Sequence, residues 1–133
     1  MAFVLDASVT ACWAFPDETH PTSDLAFVRI RTEEAFVPSL WWFEVRNILI
    51  VNERRGRIRE SDSMNFLRAL GPLRIRLDRS PEENSVLRLA RVHRLSVYDA
   101  CYLELAQRVG IPLATLDNEL VKAARAEAVL LIP

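Results

Sequence analysis

Short apolar runs, each closed by a polar or turn-forming residue, alternate with stretches long enough for helices, and this alternation leaves few architectures open. Residues 2–5 form an apolar run suited to a buried strand. Asp6-Ala7-Ser8 then turns into a short helix carrying Val9, Cys12 and Trp13, which Pro16 ends. Residues 21–32 read as a second helix, with Leu25, Val28 and Ile30 apolar, and 35–37 as a brief strand closed by Pro38. Ser39 stands where it can cap a long helix that runs to about Arg55 and stops at Gly56. A helix over 60–70 ends at Gly71-Pro72, and residues 73–77 alternate apolar side chains with arginine, as an edge strand does. Helices follow over 81–93 and 97–109, then a strand over 112–115, a helix over 117–126 and a last strand over 129–132.

Such alternation predicts an α/β domain with a central, mainly parallel sheet and right-handed crossovers. With 133 residues, half of them apolar and only three glycine, the chain suits a single domain spanning 1–133, with no linker or repeat. Ligands in such folds bind beyond the carboxyl ends of the strands, so candidate functional residues are sought just after strands.

A formal net charge of −1 announces no nucleic-acid binder in bulk. Lys122 is the only lysine, however, and arginines cluster at 54, 55, 57 and 59 and again at 74, 76 and 79. They suit either a phosphate track or solvated helix ends. Cys12 and Cys101 form no CxxC pair and are expected as free thiols. The first residues lack a basic region and reach a carboxylate early, and no apolar run has membrane-spanning length, so a soluble, cytoplasmic protein is expected.

Two carboxylates follow strands: Asp6 after the first and Asp117 after 112–115. Glu44 lies among Leu40, Trp41, Asn47 and Ile48 at helical spacing, and Asp99 shares a face with Tyr102 and Leu103. Each has a structural alternative. Asp6 and Asp117 could cap the helices they precede, Ser96 and Asp99 have capping-box spacing, and Glu44 could pair with Arg46 or another arginine brought near by folding. Together, the four could also converge on one site. At ~4–5 Å and an effective dielectric near 20, each ionised pair would repel by roughly 3–4 kcal/mol, which a divalent cation offsets best. An all-oxygen ligand set favours Mg²⁺ or Mn²⁺ over Zn²⁺. Ser8, Asn47 and Thr115 stand close by in sequence and could orient the carboxylates or a bound water. His20 and His93 have no ligand spacing to each other.

At these residues the chain resembles the PIN-domain family, and within it the VapC-type ribonuclease toxins of toxin–antitoxin pairs. The resemblance rests on Val4-Leu5-Asp6-Ala7-Ser8, on Pro38-Ser39 leading a helix with Glu44-Val45-Arg46-Asn47, on Tyr98-Asp99-Ala100, and on Ala114-Thr115-Leu116-Asp117. The order and spacing of these motifs carry it over essentially the whole chain. It implies a three-layer α/β/α fold and an Mg²⁺ or Mn²⁺ site formed by Asp6, Glu44, Asp99 and Asp117. It further implies endoribonuclease activity through a metal-activated water, a homodimer, and inhibition by a small VapB-type antitoxin whose C-terminal segment covers the acidic pocket. One departure is Glu119, which stands where a second Asp is usual after Asp117 and is kept as an outer ligand candidate.

Two other classes compete. A haloacid dehalogenase-like phosphatase also places an Asp after its first strand, but its chemistry wants a second Asp where this chain has Ser8. A catalytically silent interaction module would use Trp13, Trp41, Trp42 and the apolar stretch 48–51 as a dimer or partner surface, for which core packing is the alternative.

Overall fold

The computed structural model describes residues 1–133 and contains four strands and seven helices. In chain order these are β1 (Phe3–Leu5), α1 (Ala7–Ala14), α2 (Pro21–Arg29), β2 (Ala35–Pro38), α3 (Leu40–Arg54) and α4 (Glu60–Leu70). β3 (Ile75–Asp78), α5 (Glu83–His93), α6 (Val97–Val109), β4 (Leu113–Ala114) and α7 (Asn118–Ala126) complete it. The strands form one sheet in the order β3-β2-β1-β4, and every pairing is parallel. Parallel strands are sandwiched by their crossover helices, which explains why Phe3, Val4 and Leu5 of β1 are all completely buried. α6 lies along β1 and β2 with α5 and α7 beside it, while α1 bridges α2 and α3 in a second group. The α/β/α expectation is met.

β3 is the edge strand, as its alternation requires: Arg76 points outward to Glu34 (2.8 Å), and Ile75 is half-buried. Gly56 and Gly110 follow α3 and α6 at φ +73° and +74°, a left-handed conformation that glycine adopts without a Cβ penalty. One apolar cluster of 26 buried residues unites the sheet with all seven helices, α4 contributing Leu70.

Three local expectations need correction, and the two readings of the tryptophans divide. The last strand shrinks to a single bridge, Leu113 to Leu131, because β4 offers only two residues and Ala128 turns the chain at φ +57° just before. α2 ends at Arg29 and buries Thr22, Ser23 and Ala26, with Ile30 just beyond; Leu25 and Val28 face outward. Ser39 makes no side-chain cap, since its own backbone is already helical at φ −59°. Among the tryptophans, Trp41 belongs to the core and donates its Nε1–H to Thr10 Oγ1 (3.0 Å), while Trp42 remains exposed. No helix is long and apolar enough to cross a membrane.

Candidate active site

Strand order places β1 next to β4, whose chain connections run to opposite sides of the sheet, and it is at such a switch point that a crevice opens. The register pairs Leu5 with Ala114, so the residues that follow, Asp6 and Thr115, come side by side at the carboxyl ends. Asp6 is 5 % exposed. Its Oδ2 accepts from Ser8 Oγ (2.6 Å) and from Thr115 Oγ1 (2.7 Å). Each hydroxyl is itself oriented: Ser8 Oγ accepts from the Leu116 N–H (3.0 Å), and Thr115 Oγ1 from the Asp117 N–H (3.1 Å). With their lone pairs so engaged, both hydroxyl protons aim at the same carboxylate oxygen, and Oδ1 takes no hydrogen bond. Asp6 makes no side-chain cap for α1. The capping alternative fails there.

Asp117 does cap α7, its Oδ1 accepting from the Leu120 N–H (3.0 Å). Asp99 sits in the first turn of α6, where its N–H donates to Ser96 Oγ (3.0 Å). Glu44, half-buried on α3, accepts a 2.5 Å hydrogen bond at Oε1 from the hydroxyl of Tyr102. It forms no salt bridge with Arg46, whose guanidinium instead lies 4.1 Å from the centre of the Trp42 ring. Tyr102 is completely buried one turn beyond Asp99 on α6, so its bond to Glu44 ties α3 to the helix that carries Asp99.

Electrostatically the four acids form one group. Burial pushes the Asp6 carboxyl above its ordinary range, the Ser8 and Thr115 hydrogen bonds partly offset this, and the charges of Asp99 and Asp117 raise it further. Glu44 is raised by burial and by Asp6 and Asp99, against the Tyr102 hydrogen bond. Asp99 is raised by burial and by Asp117, with Ser96 opposing. The Tyr102 hydroxyl is held protonated by burial and by the Asp6 and Glu44 charges. No cation answers them. Elsewhere, carboxylates drawn in from solvent hold basic partners: buried Glu104 with Arg108 (2.7 Å), and half-buried Glu127 with Arg88 (2.9 Å) and His93 (2.6 Å).

The donor set fits a hard divalent cation in its chemistry: carboxylate oxygens, no thiol or imidazole, and uncompensated negative charge. The carboxylates are not drawn into a closed coordination shell, and no group of three His, Cys, Asp or Glu side chains stands ready to hold an ion. Of the other candidates, Ser8 and Thr115 both touch Asp6, whereas Asn47 is exposed and bonds to none of the four acids. Glu119 points to solvent beside Lys122 (3.5 Å). His20 caps α2 through Nδ1, and His93 serves the Glu127 pair. Both cysteines are free and half-buried. Sequence reasoning missed Tyr102 as a functional residue. The available signal was a tyrosine at i+3 from Asp99 on a buried face, where a phenol must find a polar partner.

This fold, with acids gathered at the carboxyl ends of β1 and β4, defines a class, and the sequence comparison agrees: residues 3–126 match the family model described as PIN domain. The chain belongs to the PIN-domain family. Among curated relatives, Ribonuclease VapC3 of Pyrobaculum aerophilum is 32 % identical over 125 residues, covering 92 % of this chain and 94 % of that protein. Solved structures share the fold. PAE2754 from Pyrobaculum aerophilum superimposes with TM-score 0.76 at 22 % identity over 99 % of this chain and 90 % of its own. FitAcB from Neisseria gonorrhoeae gives 0.67 at 14 %, covering 98 % and 96 %. Mycobacterium tuberculosis VapC20, a sarcin–ricin loop cleaving toxin, gives 0.64 at 13 %, covering 91 % and 94 %.

Proposed function

We propose that this chain is an endoribonuclease that cuts RNA phosphodiester bonds with Mg²⁺ or Mn²⁺ held by Asp6, Glu44, Asp99 and Asp117. The observation that carries the reading is a deeply buried Asp6 whose charge couples to Glu44, Asp99 and Asp117 and meets no basic partner, in a relative of a VapC ribonuclease. A divalent cation bound there would supply an activated water and neutralise charge on the scissile phosphate. The residues do the positioning. Ser8 and Thr115 lock Asp6 through Oδ2 and leave Oδ1 as the ligand atom. Tyr102 fixes Glu44 through Oε1 and leaves Oε2. Asp117 spends Oδ1 on Leu120 and keeps Oδ2, which anchors it at the helix start. The phosphatase reading is disfavoured because Ser8 takes the place of the second Asp that its acid–base chemistry requires.

The VapC relationship supports the role of toxin in a toxin–antitoxin pair; we further propose that it acts in the cytoplasm as a homodimer and is silenced by a small antitoxin segment laid over the acids. An exposed loop of a structured RNA is the substrate class we favour, because sequence-specific readers of RNA target splayed bases. The loop-cleaving neighbour supports it. Purified chain incubated with cellular RNA, with and without Mg²⁺, and mapped by 5′-end sequencing tests the reading. Discrete new 5′ ends that require Mg²⁺ and vanish in Asp99→Asn are expected. A folded chain that binds its antitoxin yet cuts nothing with metal present would instead be an interaction module.

A further inference from the structure

We propose that Phe43 and Tyr98 are stacking platforms for unpaired RNA bases on the two sides of the phosphate cut at the acidic site. The inference rests on the ribonuclease reading and narrows its substrate to single-stranded nucleotides. Phe43 is 67 % exposed and Tyr98 66 %, more than any other aromatic side chain in the chain. Each is the residue immediately before a site acid, Phe43 before Glu44 on α3 and Tyr98 before Asp99 on α6. Two helices distant in sequence therefore present the same aromatic–acid pair. The Tyr102–Glu44 hydrogen bond (2.5 Å) fixes those helices against each other, so the two rings are carried by the same pair of joined helices that carries Glu44 and Asp99.

Exposure of two large rings gains nothing for folding, since burying such a side chain is what stabilises. The Phe43 ring is nonetheless held in place. It meets Trp42 edge-on with centroids 5.0 Å apart, and Trp42 carries the Arg46 guanidinium on its face at 4.1 Å. Arg46 forms no salt bridge; Nη1 donates to the Trp42 carbonyl (3.2 Å), and its charge is left without an acidic partner near a flanking phosphate. Aromatic faces next to guanidinium are what unpaired bases and their backbone bind, because every base has a π-face to stack.

The test is fluorescence anisotropy of a labelled, unstructured RNA oligonucleotide with full-length protein in EDTA, which prevents cleavage. Phe43→Ala and Tyr98→Ala should each weaken binding roughly 5- to 100-fold, the range set by loss of one stacked base. The slope of log Kd against log salt should stay unchanged, because no charge is removed. Phe43→Tyr and Tyr98→Phe should retain wild-type affinity. The proposal falls if alanine variants with wild-type melting temperatures bind RNA as tightly as the wild type. It falls equally if they change the oligomeric state in ultracentrifugation with RNA affinity intact, which would make the aromatics an interface between copies. Wild-type protein that neither binds nor cuts RNA would instead overturn the ribonuclease reading itself.

Discussion

Replacing Asp6 by Asn should stabilise the metal-free protein while abolishing its response to metal. The amide is isosteric with the carboxylate, so its oxygen can still accept from Ser8 and Thr115, and its NH₂ would face the other acids as a donor. What disappears is a charge that Asp99 and Asp117 both oppose. Taking about 8 Å and an effective dielectric of 20, each of those repulsions is worth roughly 2 kcal/mol. Weakening two charge-assisted hydrogen bonds to neutral ones returns about 1–2 kcal/mol of that. A net gain of about 2–3 kcal/mol remains, which raises Tm by about 6–12 °C in a domain of this size. The wild type should respond oppositely, gaining ~2.7 kcal/mol when Mn²⁺ is present at a hundred times its Kd. The assay is a thermal melt of both proteins in EDTA and in millimolar Mn²⁺. An Asn variant that melts well below wild type in EDTA, with equal metal shifts in both, would refute the reasoning.

Three further outcomes are expected. Tyr102→Phe keeps the buried ring but removes the donor on Glu44; metal affinity should fall about 10- to 100-fold by calorimetry, with the fold intact by circular dichroism. Thr115→Val deletes a donor to Asp6 and leaves the Asp117 N–H without its acceptor, so urea denaturation should show a loss of about 1–3 kcal/mol. Glu127 is held down to about 2 by hydrogen bonds from Arg88 first and His93 next, and the stability this contributes exists above the ordinary glutamate range and disappears as pH falls from about 4.5 toward 2. Glu127→Gln should therefore cost about 1–2 kcal/mol at pH 7, after allowance for the exposed Arg88, and progressively less as the pH drops below 4 in urea melts.

The sheet and the placing of Asp6 and Asp117 were legible because a buried parallel strand must be a continuous apolar run, and a carboxylate directly after one stands at the strand's carboxyl end. Convergence of the acids was harder to read. Thr115 lies 109 residues from the Asp6 that it holds, and Tyr102 lies 58 from Glu44, so no local pattern encodes either bond. Propensity misled where tertiary contact decides: Leu25 and Val28 look like a core face, yet α2 packs through its small residues. The arginine clusters dissolve partly into ion pairs, Arg57 with Asp17 (3.1 Å) and Arg59 with Asp62 (3.7 Å), a pairing that composition cannot foretell.

Anomalous diffraction from a crystal soaked in Mn²⁺ would show directly whether the four acids share one ion. One strong peak bounded by Asp6 Oδ1 together with carboxylate oxygens of Glu44, Asp99 and Asp117 is expected. A manganese peak elsewhere, with none touching Asp6, would contradict a shared site.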